Sequence, residues 1–435
     1  MKIGLIGNMN NNNFALLRYL RDLGADAHLL LYLNDGKGAL NHFTPEADSW
    51  DLGKWSSYIH QTKIPNAIIA AFPAPISWLI FLRSLCHFFK SSKNSIIFPI
   101  TNSDLKLAYG GYDFLISSGI TPATLIRIDY KLDIFYPYSS QVEFLFAGWF
   151  LDKIKRMNAL SGKIFKFVQK QQEIGIKESK HVINYEPGIT EQALCSIGVQ
   201  SSKLPFPMVY NREVGPIEAP SHVLEEALNK IRESSISIVH HSRLIWKSRN
   251  NDDGNHWRYH NKNNNWLIQA FAKLISLRSD SNPVLFLFDY GPDVDASKEL
   301  VAKLGIGEYI IWLPKMMRKE ILWLLDKVSV GVGEFYEIDK MIWGGTGWEI
   351  LASGKPFIQG FYFEDGEFEN IVGHPPPPLL KVSKQEDILS HLLELQDNPE
   401  KIESIGFDSR KWFEKYNGIG AANKILSLLD RQKAS

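Results

Sequence analysis

Short apolar segments alternate with segments of helical periodicity along the chain, and this alternation constrains the fold more than any other feature. The first 32 residues predict a strand over 2–6, a helix over 14–23 followed by Gly24, and a second strand over 27–32. Two strands joined by one helix pair in parallel, because the crossover returns the chain to the same end of the sheet. The chain therefore begins with a parallel α/β unit.

The same alternation continues through the rest of the chain. It is interrupted at 204–208, where two prolines so close together suit an extended connector. We therefore predict an α/β protein of two tandem, Rossmann-like, doubly wound domains, over 1–205 and 206–415. Further strands are predicted over 95–100, 114–117, 180–184, 236–240, 284–288, 309–313, 328–332 and 356–359, and further helices over 191–195, 223–233, 266–277, 295–304, 320–326, 348–352, 385–395 and 421–429.

Composition excludes several classes of protein. The 48 Lys and Arg residues equal the 48 Asp and Glu residues, which argues against a nucleic-acid-binding protein. Cys86 and Cys195 are the only cysteines and cannot form a disulfide framework for 435 residues. Neither a signal-peptide pattern nor an apolar run near the roughly 20 residues of a membrane span is present. We expect a cytoplasmic protein.

Arg243 follows the predicted strand 236–240, where the loops of a doubly wound sheet bind ligands. A guanidinium at such a position can hold a phosphate with paired hydrogen bonds. An ordinary solvated loop arginine is the alternative interpretation.

Lys262 directly precedes the predicted helix 266–277, inside an asparagine cluster, 261–265, whose composition predicts a loop, as does that of 8–13. A lysine at a helix N-terminus is electrostatically unfavourable unless an anion binds there as well. The alternative is a surface lysine at the end of a polar insertion, 247–260.

A glycine-rich stretch, Gly344, Gly345, Thr346 and Gly347, precedes the predicted helix 348–352. Closely spaced glycines let backbone N–H groups approach a phosphate. On the first predicted turn of that helix, a carboxylate, Glu349, can accept hydrogen bonds from ribose hydroxyls. Its ordinary role would be to complement the helix dipole.

Three stretches carry a family resemblance: HSRLIW at 241–246, NKNNNWLIQAFAKL at 261–274 and WEILASGKPFI at 348–358. In this order and spacing they resemble the retaining glycosyltransferases of family 4, in the GT-B superfamily, over about 235–430. The resemblance implies two domains facing each other across a cleft, the first binding the acceptor and the second the nucleotide-diphosphate sugar. It also implies that 416–435 packs back on the first domain.

The resemblance also implies residue roles. Arg243 and Lys262 would hold the donor diphosphate and stabilise it as it leaves, Glu349 would bind the nucleotide ribose, and the backbone at Leu313 and Pro314 would flank the base. Glu349 matches the second glutamate of the family motif, whereas the first, which faces the donor sugar in the family, falls on Met341 here, so that contact is missing or the loop is remodelled. The fixed cations would replace a metal ion, and no Asp-x-Asp stands in a suitable loop. No cofactor is expected beyond the donor substrate.

The implied reaction transfers a sugar to an acceptor hydroxyl with retention, in cell-surface polysaccharide or glycolipid synthesis. Gly7 and Asn8, after the first strand, and Tyr138 are candidates for the acceptor side. The aromatic stretches 78–89 and 146–157 are candidates for peripheral contact with the inner face of a membrane that carries the acceptor. A core helix with basic residues reaching solvent is the alternative for them.

Three other functions remain open. Met341 is compatible with a non-catalytic nucleotide-sugar-binding protein on the same fold. Gly4 and Gly7 after a strand start are compatible with an NAD-dependent oxidoreductase, although the third glycine and the acidic residue of that motif are absent. A sugar-nucleotide epimerase would need more ionisable side chains at the site than the sequence indicates.

Overall fold

The computed structural model describes residues 1–33, 44–73, 75–79, 82, 98–138, 143, 159–247, 261–338 and 340–434. Within it the chain divides into two compact units. The first comprises 1–45, 51–208 and 421–435, and the second comprises 46–50 and 209–420. The chain therefore passes from one unit to the other at 208/209 and at 420/421, whereas the sequence predicted boundaries at 205/206 and 415/416. In addition, the five-residue segment Glu46–Trp50 belongs to the second unit.

The first unit contains a six-stranded parallel sheet in the order β3-β2-β1-β4-β5-β6. Its strands are β1 (Lys2–Ile6), β2 (Asp26–Leu31), β3 (Ile59–Gln61), β4 (Phe114–Ser117), β5 (Ile134–Phe135) and β6 (His181–Val182). Its helices are α1 (Asn12–Asp22), α2 (Ala67–Ala71), α3 (Asn102–Tyr109), α4 (Thr121–Ile126), α5 (Ala159–Glu178) and α6 (Ile189–Ser196).

Local sequence explains where several of these helices begin. The side chain of Asn66 accepts a hydrogen bond from the backbone of Ile69 at the start of α2. Thr101 and Asp104 form a capping box at the start of α3, so two otherwise unpaired backbone N–H groups are bonded. A proline, Pro122, stands in the first turn of α4, where its missing N–H costs nothing.

The second unit contains another six-stranded parallel sheet, in the order β12-β11-β10-β7-β8-β9. Its strands are β7 (Ser237–His240), β8 (Val284–Phe288), β9 (Ile310–Leu313), β10 (Val330–Val332), β11 (Phe357–Gly360) and β12 (Leu379–Val382). Its helices are α7 (His222–Glu233), α8 (Asn264–Leu277), α9 (Val294–Leu304), α10 (Arg318–Lys327), α11 (Gly345–Ala352), α12 (Glu367–Val372), α13 (Gln385–Asp397) and α14 (Pro399–Tyr416), after which α15 (Gly418–Ala434) lies mostly in the first unit.

Both sheets have the strand order of the Rossmann fold, in which the chain first builds outward in one direction and then in the other. The order reverses between β1 and β4 in the first unit and between β7 and β10 in the second. The predicted fold class, two Rossmann-like parallel α/β sheets, is confirmed. Because the crevice outside the strand ends at such a reversal is the usual ligand site, each unit has one position where a site is expected.

The prediction of a loop over 8–13 is wrong in part, because Asn12 begins α1. The amide of Asn13 is buried and donates to the carbonyl oxygens of Ile6 (3.0 Å) and Gly7 (2.8 Å). These asparagines satisfy backbone groups left unpaired where β1 ends. Composition alone indicated a loop because it does not reveal such internal hydrogen bonds.

Among the helices that the structure describes, none is long and apolar enough to cross a membrane. The aromatic stretch 146–157 lies outside the described residues, as does most of 78–89. Of that second stretch, Trp78, Leu79 and Leu82 are described and are exposed. The membrane contact stays a prediction. The predicted strand 95–100 also lies partly outside, and its described end, 98–100, is not in a strand.

The core of the second unit packs α8 and α13 against the sheet, and Phe271 on α8 is fully buried within it. We expect Phe271→Ala to lower the free energy of unfolding by about 3–5 kcal/mol, because it removes a buried ring and leaves a cavity. Phe407→Ala is the matched control, since the Phe407 ring on α14 is 68% exposed. Urea denaturation followed by circular dichroism measures both, and equal losses would contradict this description of the core.

Candidate active site

The reversal point of the second sheet brings together polar side chains from the loop after β7, the loop after β10 and the loop before α8. His240 ends β7 and is followed by His241, Ser242 and Arg243, while Glu334 lies two residues beyond β10. These two strands are neighbours in the sheet, so their carboxyl ends lie side by side. Four of the five side chains are buried, and Arg243 is exposed.

Lys262 and Glu334 form a buried ion pair at the centre of this site. The Lys262 ammonium also donates to Ser242 Oγ at 2.7 Å, and the Ser242 hydroxyl donates to Glu334 at 2.5 Å. Burial by itself raises the pKa of Glu334, but the charge of Lys262 and its hydrogen bond outweigh burial and hold the pKa below its usual value. Glu334 is therefore an anion that already faces Lys262.

The backbone holds Lys262 in place through two neighbouring strands' loops. Its N–H donates to the carbonyl of Ile245 at 2.8 Å, and its carbonyl accepts from the N–H of Phe335 at 3.1 Å. Asn263 follows in the left-handed region, with φ of 46°, and its side chain donates to the Phe335 carbonyl. A surface lysine in a polar insertion is thus the wrong interpretation. A bound ligand anion is also no longer needed to explain a lysine at the N-terminus of α8, because the Glu334 carboxylate supplies the negative charge.

His240 is a fully buried imidazole with both nitrogens bonded. Nδ1 lies 3.0 Å from the carbonyl oxygen of Val332 and must donate to it, while Nε2 lies 2.7 Å from the side-chain nitrogen of Asn264 and accepts. This arrangement requires the neutral ring. Burial lowers the pKa of His240 to about 4. His240 thereby ties β7 to β10 and to the first turn of α8.

Glu349 is buried and held by two donors. His241 Nε2 lies 2.8 Å from one carboxylate oxygen, and Arg318 Nε donates to the other at 2.7 Å. Burial raises the pKa of Glu349, but the His241 hydrogen bond and the Arg318 charge outweigh burial and keep the pKa below its usual value. Since α11 begins at Gly345, Glu349 lies on its second turn and not on the predicted first. It is therefore not an exposed carboxylate at the helix end.

The glycine-rich stretch forms the beginning of α11. Gly344 is exposed, and a Cβ added there would lie 3.7 Å from the second carboxylate oxygen of Glu334, so this stretch borders the ion pair. Gly345 and Thr346 are half-buried. Gly347 is required for packing, because a Cβ would come within 2.6 Å of the Trp343 and Phe357 rings.

Three further residues of the predicted donor site lie along the same sheet edge. Arg243 directly follows Ser242, whose hydroxyl bonds the ion pair, and the charge of Arg243 opposes the rise that burial causes in the pKa of Tyr336. Leu313 ends β9, is buried, and pairs with Phe288 of β8, whose ring in turn contacts His241. Pro314 follows and is exposed. The structure therefore brings Arg243, Lys262, Gly344–Gly347 and Glu349 together, with Leu313 and Pro314 two strands away from β7.

Gly7, Asn8 and Tyr138 lie in the first unit. Gly7 has φ of +73°, and a Cβ there would meet the Tyr32 ring at 2.9 Å, so local geometry requires glycine. The buried Asn8 side chain donates to Asn11 and accepts from the backbone of Phe14. The backbone N–H of Tyr138 donates to the Glu143 carboxylate. Their role on the acceptor side stays a prediction.

Sequence reasoning missed four residues of this site: Ser242, His241, Glu334 and Arg318. Ser242 and His241 stand beside Arg243 directly after β7, a position that itself predicts a site. Glu334 lies outside the position that the family motif gives its first glutamate, which is Met341, and nothing in the sequence connects Arg318 to Glu349. Within the described ranges, no group of three or more His, Cys, Asp or Glu residues is arranged to hold a metal ion.

Comparisons with solved structures establish the fold. A variant of TarM from S. aureus, crystallised with fondaparinux, alpha-GlcNAc-glycerol and UDP, matches with a TM-score of 0.53 and 12% identity, covering 98% of this chain and 99% of that chain. The chain has the GT-B fold.

Two other structures of this fold carry different activities in their names. Sucrose-phosphate synthase from Thermosynechococcus elongatus matches with a TM-score of 0.51 and 11% identity, covering 100% of this chain and 99% of that chain. A putative UDP-N-acetylglucosamine 2-epimerase from Listeria monocytogenes matches with a TM-score of 0.51 and 13% identity, covering 100% and 96%. Neither a protein-family model nor a curated protein sequence matches the chain. The fold alone therefore leaves transfer and epimerisation both open.

The buried His240 generates a pH dependence of stability. Its pKa is about 4 when folded and about 6.5 in an unfolded chain, so between these values the unfolded state binds more protons and folding is penalised. We expect His240 to leave the free energy of unfolding unchanged above pH 6.5 and to lower it by roughly 3 kcal/mol at pH 4. His240→Gln should remove that part of the slope, whatever it does to stability at pH 7.

Urea denaturation at several pH values between 4 and 7 measures this slope. His222→Gln is the control, because the His222 side chain is 80% exposed and should leave the slope as in the wild type. If His240→Gln and wild type lost stability in parallel over this range, the neutral, doubly bonded His240 would be the wrong description.

Proposed function

We propose that this protein is a glycosyltransferase that moves a sugar from a nucleotide-diphosphate sugar to an acceptor hydroxyl, with retention and without a metal ion. Cell-surface polysaccharide or glycolipid synthesis is the process we infer. The observation that carries the proposal is the reversal point of the second sheet, where the Lys262–Glu334 pair borders the start of α11 at Gly344 and Glu349 is held buried by His241 and Arg318.

The cations and the helix start fit a diphosphate. Lys262 has three N–H donors, of which two bond Ser242 and Glu334, so one remains for a phosphate oxygen. The exposed guanidinium of Arg243 can supply paired hydrogen bonds to the same group. The first N–H groups of α11, at Gly345 and Thr346, are unpaired helix ends that favour an anion.

Glu349 fits the ribose of the donor nucleotide. Its carboxylate is ionised and its two oxygens are fixed by His241 and Arg318, which leaves lone pairs for the ribose hydroxyls. Glu334 bonds Lys262 and lies beside Gly344, so a diphosphate bound by Lys262 would bring its sugar to the Glu334 carboxylate, which can accept hydrogen bonds from sugar hydroxyls. In this proposal Glu334 replaces the contact that Met341 cannot make.

The reaction needs little protein acid–base chemistry. The bond between the anomeric carbon and the diphosphate oxygen breaks, the acceptor oxygen bonds to that carbon, and the acceptor proton leaves to the diphosphate or to solvent. Negative charge grows on the diphosphate as it departs, and Lys262, Arg243 and the N–H groups at the start of α11 are aimed at it. Preorganised donors of this kind supply much of the acceleration in enzymes that stabilise a leaving anion.

A sugar-nucleotide epimerase is the second candidate. The sequence indicated too few ionisable side chains for it, but the site contains the carboxylates of Glu334 and Glu349 and the imidazoles of His240 and His241. The Listeria protein of the same fold is named as a putative epimerase. Proton abstraction beside the anomeric carbon would need one of these groups as a base. Glu334, Glu349 and His240 are held by hydrogen bonds inside the protein. The Nδ1 atom of His241, which has no partner among the described residues, is buried, and this arrangement favours transfer over epimerisation.

We expect Arg243→Ala to weaken the binding of a nucleoside diphosphate by about 10- to 100-fold, because it removes charge-assisted hydrogen bonds to phosphate. The Arg243 side chain is exposed, so stability without ligand should change little. Thermal stabilisation by UDP, GDP and ADP, with and without EDTA, measures the binding. Stabilisation that EDTA abolishes would contradict a metal-free site.

Lys247→Ala is the matched control for Arg243→Ala. Lys247 is an exposed cation in the same loop, and its backbone N–H donates to the Asp293 carboxylate at 3.0 Å. It should bind the nucleotide as the wild type does. Loss of binding in Lys247→Ala with retention in Arg243→Ala would show that the wrong cation has been assigned to the phosphate.

Product analysis separates the two candidate reactions. Incubated with UDP-sugars, GDP-sugars and ADP-sugars, a transferase should release nucleoside diphosphate, faster with an acceptor sugar or glycolipid, and leave the remaining donor unchanged in configuration. NMR of the anomeric proton checks both the product and its stereochemistry. A new nucleotide sugar formed without acceptor would identify an epimerase, and binding without any turnover would identify a non-catalytic protein.

A further inference from the structure

The second unit contains a cavity of about 430 Å³ that takes no part in the proposed transfer reaction. Its walls come from α10, from the end of α11 at Ser353, from the segment 210–217, and from Trp50 and Arg410. Every described residue of its lining belongs to the second unit. The proposed diphosphate site lies at the opposite end of α11, at Gly345. A cavity of this volume can enclose a small organic molecule.

Positive charge is concentrated at one end of this cavity, where three cations surround the Asp326 carboxylate. The cations are Lys327, Lys355 and Arg410. Lys327 Nζ lies 2.8 Å from that carboxylate, and Lys355 donates to the Asp326 carbonyl oxygen at 2.9 Å. Burial raises the pKa of Asp326, but the Lys327 hydrogen bond and the charges of all three cations outweigh burial and hold the pKa below its usual value. Since one carboxylate faces three cations, net positive charge remains here and favours a bound anion.

The pKa of Lys355 also shows how close these cations lie. Burial lowers this pKa, and the charges of Arg410 and Lys327 act in the same direction, because a neighbouring cation disfavours the charged ammonium. The three cations therefore repel one another in the absence of an anion. A ligand with negative charge would relieve this repulsion.

Arg410 keeps N–H donors for such an anion. It lines the cavity and is exposed, and its Nη2 donates to the Ser353 carbonyl at 3.0 Å, which fixes one side of the guanidinium at the end of α11. Within the described part of the chain, this is its one hydrogen bond. The remaining N–H groups can bind two oxygens of one phosphate in the paired manner of guanidinium groups.

The other end of the cavity is lined by aromatic rings and by Lys319. Lys319 and Lys327 stand eight residues apart on α10, which is about 12 Å along the helix. The Lys319 ammonium lies 4.8 Å from the centroid of the Trp50 ring and donates to the Ser49 carbonyl at 3.3 Å. Trp323, between the two lysines on α10, also lines the cavity. Ammonium donors bond hydroxyl oxygens, and indole rings pack against the C–H face of a sugar.

We propose that this cavity binds a sugar phosphate, with the phosphate held by Arg410 and Lys327 and the sugar lying towards Trp50. A phosphate monoester carries nearly two negative charges at neutral pH and so neutralises the excess positive charge around Asp326. The site is separate from the proposed donor site, because neither Lys262 nor Glu349 lines it. The proposal therefore goes beyond the proposed function and does not depend on it.

Calorimetric titration of the full chain with glucose 6-phosphate, inorganic phosphate and glucose tests the proposal. We expect glucose 6-phosphate to bind at least about fivefold more tightly than inorganic phosphate, because it alone contacts both ends of the cavity. Glucose should not bind measurably, since it lacks the charge. The titrations are made at low ionic strength, because salt screens exposed cations.

Arg410→Gln and Lys327→Gln should each weaken the binding of glucose 6-phosphate about tenfold or more, because each removes charge-assisted hydrogen bonds to the phosphate. Lys411→Gln is the matched control and should bind as the wild type does. Lys411 is the next residue on α14, is exposed and does not line the cavity. Circular dichroism identifies a variant that misfolds, and the other variant then decides.

Asp326→Asn should have the opposite effect. It removes the negative charge that competes with the phosphate for the same cations, in a side chain of equal shape, so the binding of glucose 6-phosphate should tighten about threefold. The Asp326 side chain is 59% exposed, so the change should cost little stability. Since a loss of folded protein does not tighten binding, this variant separates a ligand site from a purely structural cluster of charges.

Four results would overturn the proposal outright. They are no binding of glucose 6-phosphate to the wild type, equally tight binding of inorganic phosphate, an equal loss in Lys411→Gln, and weaker binding by Asp326→Asn. Arg243→Ala is titrated as well and should bind glucose 6-phosphate as the wild type does. Binding that is lost in Arg243→Ala but kept in Arg410→Gln and Lys327→Gln would place the phosphate at the proposed donor site and overturn this one.

Discussion

The buried pair of Lys262 and Glu334 is the interaction on which the proposed donor-binding edge of the second sheet depends. It joins the loop before α8 to the loop after β10, and Ser242 connects both to the end of β7. Two charges buried in this way are costly to separate, because removal of either partner leaves the other unpaired in a poorly solvated place. The site is therefore built before any ligand arrives, with its cations and carboxylates already in position.

His240 and Glu349 extend this arrangement on either side of the pair. The neutral His240 bridges Val332 and Asn264 and so aligns β10 with the first turn of α8. Glu349 is aligned from the opposite side by His241 and Arg318. Polar groups that lie deep in a fold are expected to be bonded, and here each bond also places a group that a diphosphate or a ribose can use.

The sequence predicted the sheets well wherever strands are long and buried on both faces. Phe114–Ser117 and Val284–Phe288 are such strands, because they stand out as continuous apolar runs. Ile134–Phe135 was missed because two residues show no periodicity, and Pro399–Tyr416 was not predicted as a helix although its proline suits a first turn.

The residues of the candidate site likewise fall into some that the sequence predicts and others that it does not. Arg243, Lys262 and Glu349 could be predicted as candidates because they stand next to predicted strands and helices. Their partners were not, because those lie at a distance along the chain: Lys262 meets Glu334 across 72 residues, and Arg318 meets Asp48 across 270. No local pattern predicts such a pairing. The buried ion pair between the Arg318 guanidinium and the Asp48 carboxylate, whose atoms lie 3.1 Å apart, also has a consequence for folding. Contacts between residues so distant in sequence require a large loop to close first, so this one should form late and open early, while the sheet around it remains intact. Local opening would then disrupt the proposed nucleotide site, through Arg318 and Glu349, at temperatures where the fold itself survives.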